Sequence, residues 1–220
     1  LPAQEDSDWV ERCREESWRE GRWRAGKGER VKHCEIREQE LPAVKGTLRV
    51  DPGQNGGVAI RGWDQDSMFV RAKIQTYGQT EHVAREVAGR IRIVTTGGTI
   101  RAEGPDGDAG RYGSWSVSFE VYVPRRSDLA LETRNGPLSV RRVTGRMELE
   151  VENGPLSLVG VGGEVRARAT NGPLHVELEG TRWEGTGLDA ETVNGPVDLI
   201  VPENYSARLE TGTVNGPVHV

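Results

Sequence analysis

Residues 151–158 read VENGPLSL. The Asn-Gly-Pro at their centre recurs at Asn135, Asn153, Asn171, Asn194 and Asn215, with Asn-to-Asn spacings of 18, 18, 23 and 21 residues. A nearly constant period of this size marks a repeat architecture. Six residues before each Asn stand Leu129, Met147, Val165, Leu188 and Leu209. Four before stand Leu131, Leu149, Ala167, Ala190 and Thr211, and two before stand Thr133, Val151, Ala169, Thr192 and Thr213. The positions between them are mostly charged, as in Glu148, Arg166 and Asp189. This alternation is that of a strand with one buried face.

It resumes after each corner. Leu138, Leu156, Leu174, Val197 and Val218 lie three past Asn, and Val140, Leu158, Val176, Leu199 and Val220 lie five past. Each repeat therefore reads as strand, corner, strand and a Gly-rich return. Asn-Gly alone would suggest a hairpin tip. The Pro that follows pushes Gly toward an extended ψ and removes a ladder donor, which disfavours that turn. The corner is read instead with Asn left-handed and Gly-Pro as the extended exit.

Charge order supports parallel stacking of successive repeats about 4.8 Å apart. Glu148, Arg166 and Asp189 would then form one row, and Glu150, Arg168 and Glu191 another, with alternating sign in both. The Asn residues would form an amide ladder. The expected fold class is all-β: a parallel β-solenoid (β-helix) of short strands with Asn-Gly-Pro corners and an N-terminal cap segment. An 18-residue repeat has a perimeter of roughly 60 Å, a slim coil suited to inward Ala167, Ala169 and Ala190.

Earlier in the chain, Leu48 and Val50 precede a corner at Asn55, and Val58 and Ile60 follow it at the repeat offsets. TEHVAREVAG (80–89) is helical in pattern, with Val83, Ala84 and Val87 on one side, and WSVSFEVYVP (115–124) is a strong strand. The expected organisation is 1–45 as cap and linker, 46–128 as irregular early rungs with a short helix, and 129–220 as regular repeats.

The bulk composition agrees. Only 35% of the 220 residues are hydrophobic, with 29 Gly and 29% charged residues, which is lean for a thick core. The net charge of −5 argues against nucleic acid or an anionic membrane as partner. No apolar run approaches the ~20 residues of a spanning helix. LPAQEDSDW, at the start, reads as a mature N-terminus after signal-peptide removal, and a trimmed chain would look the same. Cys13 and Cys34 pair if the protein is secreted and are two free thiols otherwise; export and the disulfide are the expectation. Such a bridge contributes roughly 3 kcal/mol on the chain-entropy account. Trp9, Trp18 and Trp23 lie in the cap region, where they either cover the first rung or, with neighbouring arginines, contact a glycan or acidic partner.

Chemistry is sparse. His175, Asp198 and His219 share an outward column that a metal could use, but solvated surface residues explain it better. PDGDAG lacks the closing Glu of a calcium loop. Asp64 and Asp66 are a chance-level carboxylate pair. There is no GxSxG, HExxH or phosphate-loop motif. No enzyme activity and no cofactor are expected.

On CEIRE, NGGVAIRGWD, WSVSFEVYVP, the NGPL series and YSARLETGTVNGPV, the chain resembles a bacterial family described as "putative adhesins" with β-strand repeats, over roughly residues 30–220. The resemblance implies an exported protein, mostly β-solenoid, at or beyond the cell envelope, with the periplasm as second choice of place. It brings no catalytic residues.

The repeat pattern runs to the last residue, so the final strand presents inward Val218 and Val220 with no cap following. Head-to-tail self-assembly is therefore expected, through Val214, Val218 and Val220 of one copy and Trp9, Trp18 and Trp23 of the next. A monomeric adhesin or glycan-binding module is the alternative.

Overall fold

The computed structural model describes residues 9–13, 30–105 and 114–210. In chain order the strands are β1 (Val31–Pro42), β2 (Thr47–Asp51), β3 (Val58–Trp63), β4 (Ser67–Gly78), β5 (Arg92–Thr96), β6 (Thr99–Glu103), β7 (Ser114–Pro124), β8 (Asp128–Asn135), β9 (Leu138–Arg141), β10 (Thr144–Asn153), β11 (Leu156–Val159), β12 (Gly162–Asn171), β13 (Leu174–Glu177), β14 (Gly187–Asn194) and β15 (Val197–Ile200). A helix α1 (Glu81–Arg90) lies between β4 and β5. The protein is mostly β, in two mixed sheets that do not close into a barrel. One sheet runs β1-β4-β7-β3-β9-β11-β13-β15 and the other β14-β12-β10-β8-β2-β6-β5.

In the repeat region each strand before a corner lies in one sheet and each strand after it in the other. Successive repeats pair in parallel and in register: Leu129, Met147, Val165 and Leu188 are aligned across β8, β10, β12 and β14. Leu138, Leu156, Leu174 and Val197 are aligned across β9, β11, β13 and β15. The early corner joins the same stack, because Leu48 pairs with Leu129 and Val58 with Leu138. The inward columns of both sheets form one continuous core that includes Ile60, Leu131, Leu149, Leu158 and Val176. Alternation in sequence has become burial because each strand has one face on that core.

Not all of the pairing is parallel. β1, β4 and β7 are 12, 12 and 11 residues long and run antiparallel, β1 to β4 and β4 to β7. β5 and β6 form a hairpin through Gly97-Gly98. These segments lack the Asn-Gly-Pro corner that would turn the chain into the next rung, and antiparallel neighbours need only a short connection. α1 starts at Thr80, whose Oγ1 accepts from Val83 N at 3.3 Å, and buries Ala84, Val87 and Ala88. Arg37 on β1 donates to the carbonyls of Ala88 (2.8 Å) and Ile91 (2.5 Å), which satisfies the helix end.

The corner itself differs from the sequence reading. Asn135, Asn153, Asn171 and Asn194 stay in the strands they end, and among the described residues Arg142 is the only non-glycine at positive φ. The special conformation falls on the following glycine, with φ of 147° at Gly154 and 156° at Gly172. The reason is close approach. A Cβ at Gly172 would lie 2.0 Å from Gly154 O, and one at Gly154 would lie 2.5 Å from Gly136 O. Rungs stack at the corner only if no side chain stands there. Gly172→Ala is expected to cost about 1–3 kcal/mol through backbone displacement and strain. Chemical denaturation measures it, and a cost within experimental error of zero would contradict the close stacking.

Candidate functional site

Three regions concentrate chemistry. The first is the corner column. Asn153 Nδ2 donates to Asn135 Oδ1 (3.1 Å), Asn171 Nδ2 to Asn153 Oδ1 (3.0 Å) and Asn194 Nδ2 to Asn171 Oδ1 (2.9 Å). Asn135 Nδ2 extends the column to Gln54 O and Asn55 Oδ1. The backbone adds a second thread: Gly56, Gly136, Gly154 and Gly172 each donate N–H to the Asn carbonyl of the next rung, at 2.9–3.1 Å. The amide ladder expected from sequence is present at these four corners and Asn55. Asn215 lies outside the described residues.

The charge rows are also aligned, Glu148–Arg166–Asp189 and Glu150–Arg168–Glu191. Arg168 pairs with Glu191 at 3.4 Å, whereas Arg166 turns to Glu164 of its own strand at 3.5 Å. Registration brings opposite charges near each other, and exposed side chains then choose among several partners at little cost.

The stack opens at its last described rung. The inward column three past Asn is 0% exposed at Leu138, Leu156 and Leu174, then 50% exposed at Val197. Val193, Ile200 and Val201 are exposed beside it. Leu209, expected inward on a fifth rung, lies outside any strand and is 49% exposed. Of the residues expected at an assembly interface, Val214, Val218, Val220, Trp18 and Trp23 lie outside the described residues.

The third region is the outer face of β1, β4, β7 and β3. Residues 9–13 are helical, and a Cys13–Cys34 disulfide ties them to β1. Lys73 Nζ lies 5.9 Å from the centre of the Trp9 ring. Beside it, Glu120 is ringed by Arg71 (3.2 Å), Arg61 (3.2 Å) and Lys73 (3.3 Å), and Tyr122 OH donates to it at 3.3 Å. Arg71 is 2% exposed and also holds Glu38 at 2.8 Å. Burial pushes the Glu120 carboxyl upward; Lys73, Arg61 and Arg71 together outweigh it and hold the pKa below the ordinary value. Trp63 and Phe69 pack against Tyr122, at 5.5 and 6.1 Å between ring centres. The sequence reading missed this cluster, because Arg71 and Glu120 occupy positions that alternation assigns to solvent.

A cleft of about 640 Å³ lies between β1 and the β5–β6 hairpin, with Val70, Ile91 and Ile93 among its lining residues. Its cations are already held: Arg92 and Arg101 by Glu103, Arg37 by Glu35. Asp64 pairs with Arg125 at 2.5 Å, which lowers its pKa, so it is not half of a carboxylate pair with Asp66. His175 Nδ1 lies 2.8 Å from Asp198 Oδ2. No group of three metal-ligating side chains occurs among the described residues. No helix among them is long and apolar enough to cross a membrane.

No family model and no curated sequence matches this chain. Solved structures give distant likenesses. A "putative cell adhesion protein" from Clostridium sporogenes is 9% identical with a TM-score of 0.40, covering 76% of this chain and 99% of that one. A "putative adhesin" from Parabacteroides distasonis is 7% identical with a TM-score of 0.31, covering 76% and 97%. A "putative lipid binding protein" from the same species is 10% identical with a TM-score of 0.28, covering 79% and 95%.

Proposed function

We propose that this chain is a non-enzymatic structural protein of the cell surface or extracellular space, a β-solenoid that assembles head-to-tail through its ends. The observation that carries this reading is the jump in exposure from 0% at Leu174 to 50% at Val197 in one inward column. A partner that continues the stack would bury Val197 and Ile200 and pair the edges of β14 and β15 that no described strand pairs. Among the described strands both sheets also end on an edge at the other side, β5 and β1, so each copy would have two unlike faces that can meet. Such a contact is heterologous and grows unless its rotation closes a ring. The disulfide supports an oxidising compartment.

Sedimentation and electron microscopy test the reading. The parent chain should form higher-mass species as its concentration rises. Val197→Lys, at an exposed position, should leave folding intact and reduce the chain to a monomer. A parent that stays monomeric at high concentration would exclude assembly.

A second reading rests on the packed Trp63, Phe69 and Tyr122 with Arg61 on the outer face. Flat aromatic surface beside hydrogen-bonding groups suits sugar rings, and a monomeric glycan-binding module would use it. Trp63→Ala would then lose glycan binding without changing oligomeric state.

A further inference from the structure

The outer face holds one row of side chains that crosses four strands. Phe69 on β4 is in register with Tyr122 on β7, Tyr122 with Arg61 on β3, and Arg61 with Arg141 on β9. At one strand spacing per step the row runs about 14 Å along the stack, as ring, ring, cation, cation. All four project away from the core, because their chain neighbours Val70, Val121, Ile60 and Val140 are buried in it. Arg61 and Arg141 are exposed. Like charges set directly opposite each other on neighbouring strands repel. Glu120 offsets this only in part, since Arg61 shares it with Arg71 and Lys73.

The row is held in place. Trp63 Nε1 donates to Ser67 O at 2.8 Å, which fixes its ring beside Tyr122. Tyr122 OH donates to Glu120, and the Arg61 guanidinium lies 5.8 Å from the centre of the Tyr122 ring. The backbone that carries the two arginines is locked as well. Arg142, directly after Arg141, sits at φ 54°, a conformation that the next rung gives to Gly160 at φ 59°. A Cβ at Gly62, directly after Arg61, would lie 1.8 Å from Arg142 O. Side chains avoid the left-handed region, and residues other than glycine held there cluster at ligand sites.

We infer that this row binds an acidic polysaccharide, with sugar rings on Tyr122 and Trp63 and a carboxylate or sulfate bridging Arg61 and Arg141. The inference rests on the second reading above and adds the charge of the glycan, its direction along the stack and the part of Arg141. An anion between the two guanidiniums replaces repulsion by charge-assisted hydrogen bonds. Carboxylates stand among the cations here: Glu120 on Arg61, Asp64 on Arg125 and Glu179 on Arg142. A nucleic acid, charged at every phosphate, would meet them all along its backbone. A polysaccharide brings hydroxyls that these carboxylates accept from, with acid groups only at intervals.

The test is calorimetric titration of the full chain, at low salt, with polygalacturonate, its neutral methyl ester, dextran sulfate and oligodeoxythymidylate. Polygalacturonate or dextran sulfate should bind, and the tighter of the two names the acid group. Arg141→Glu should weaken that binding at least about tenfold without lowering thermal stability. Arg168→Glu, the same charge change on the opposite sheet, should stay within about twofold. Equal binding of polygalacturonate and its methyl ester, both lost in Trp63→Ala, would overturn the inference and leave the second reading standing. Binding of none of the three polysaccharides would overturn both. Equal losses in Arg141→Glu and Arg168→Glu would overturn the inference by showing a response to overall charge. Tighter binding of oligodeoxythymidylate than of either acidic polysaccharide would overturn it in favour of nucleic acid.

Discussion

Leu158→Asp should unfold the repeat region or come close to it. Leu158 is 0% exposed on β11, in register with Val140 of β9 and Val176 of β13. The substitution removes a packed aliphatic side chain and places a carboxylate where no partner stands. Loss of packing alone costs about 2–5 kcal/mol, and an unpaired buried charge adds to that. The whole stability of a domain is typically about 5–15 kcal/mol. Denaturation followed by circular dichroism should therefore show a large loss, and limited proteolysis should place it in 129–200. Glu150→Ala, on the exposed face of the neighbouring β10, should change stability by well under about 1 kcal/mol. If the two variants were equally stable, the inward columns would be misassigned.

The second large effect is expected at Glu120. Glu120→Ala removes one carboxylate partner of Arg71, which is 2% exposed, and takes from Lys73 and Arg61 the carboxylate they share. Breaking a buried ion pair from one side costs about 3–5 kcal/mol. A pH signature distinguishes this from simple packing loss. The folded pKa of Glu120 is depressed, by Lys73, Arg61 and Arg71 acting against burial. Its contribution is therefore complete above the unfolded value of about 4.3 and is lost as pH falls through the folded value. Thermal unfolding followed from neutral to acid pH should be steeper in the parent than in Glu120→Gln. Identical acid-side slopes would show that the carboxylate is not held in this way.

Much of the repeat region was legible in the sequence because its two signals are local and repeated. A period-two pattern fixes which face is inward, and the recurring Asn-Gly-Pro fixes register, so Leu129, Met147 and Val165 could be aligned by counting. The corner conformation was not legible in the same way. Counting places Asn at the corner but does not say that Gly154 must come within touching distance of Gly136, and that contact decides which residue bends. Strand direction in 31–124 was likewise hidden, since alternation in β4 and β7 is the same whichever way the neighbour runs. The cluster on the outer face was missed for a related reason. Arg71 and Glu120 look like solvent-facing residues until β1 and β3 bring Glu38 and Arg61 beside them. The disulfide was readable because two cysteines allow one pairing.

The Asn column has one more consequence. Every amide in it points the same way, Nδ2 toward the earlier rung and Oδ1 toward the later one. Their dipoles add, as peptide dipoles do along a helix, and the column becomes a directional wire with unlike poles. Among the described residues the column runs from Asn55, whose Oδ1 accepts from Asn135, to Asn194, whose Nδ2 donates to Asn171. Any corner that extends the column beyond Asn194 in the same sense must bring an N–H toward its side-chain oxygen.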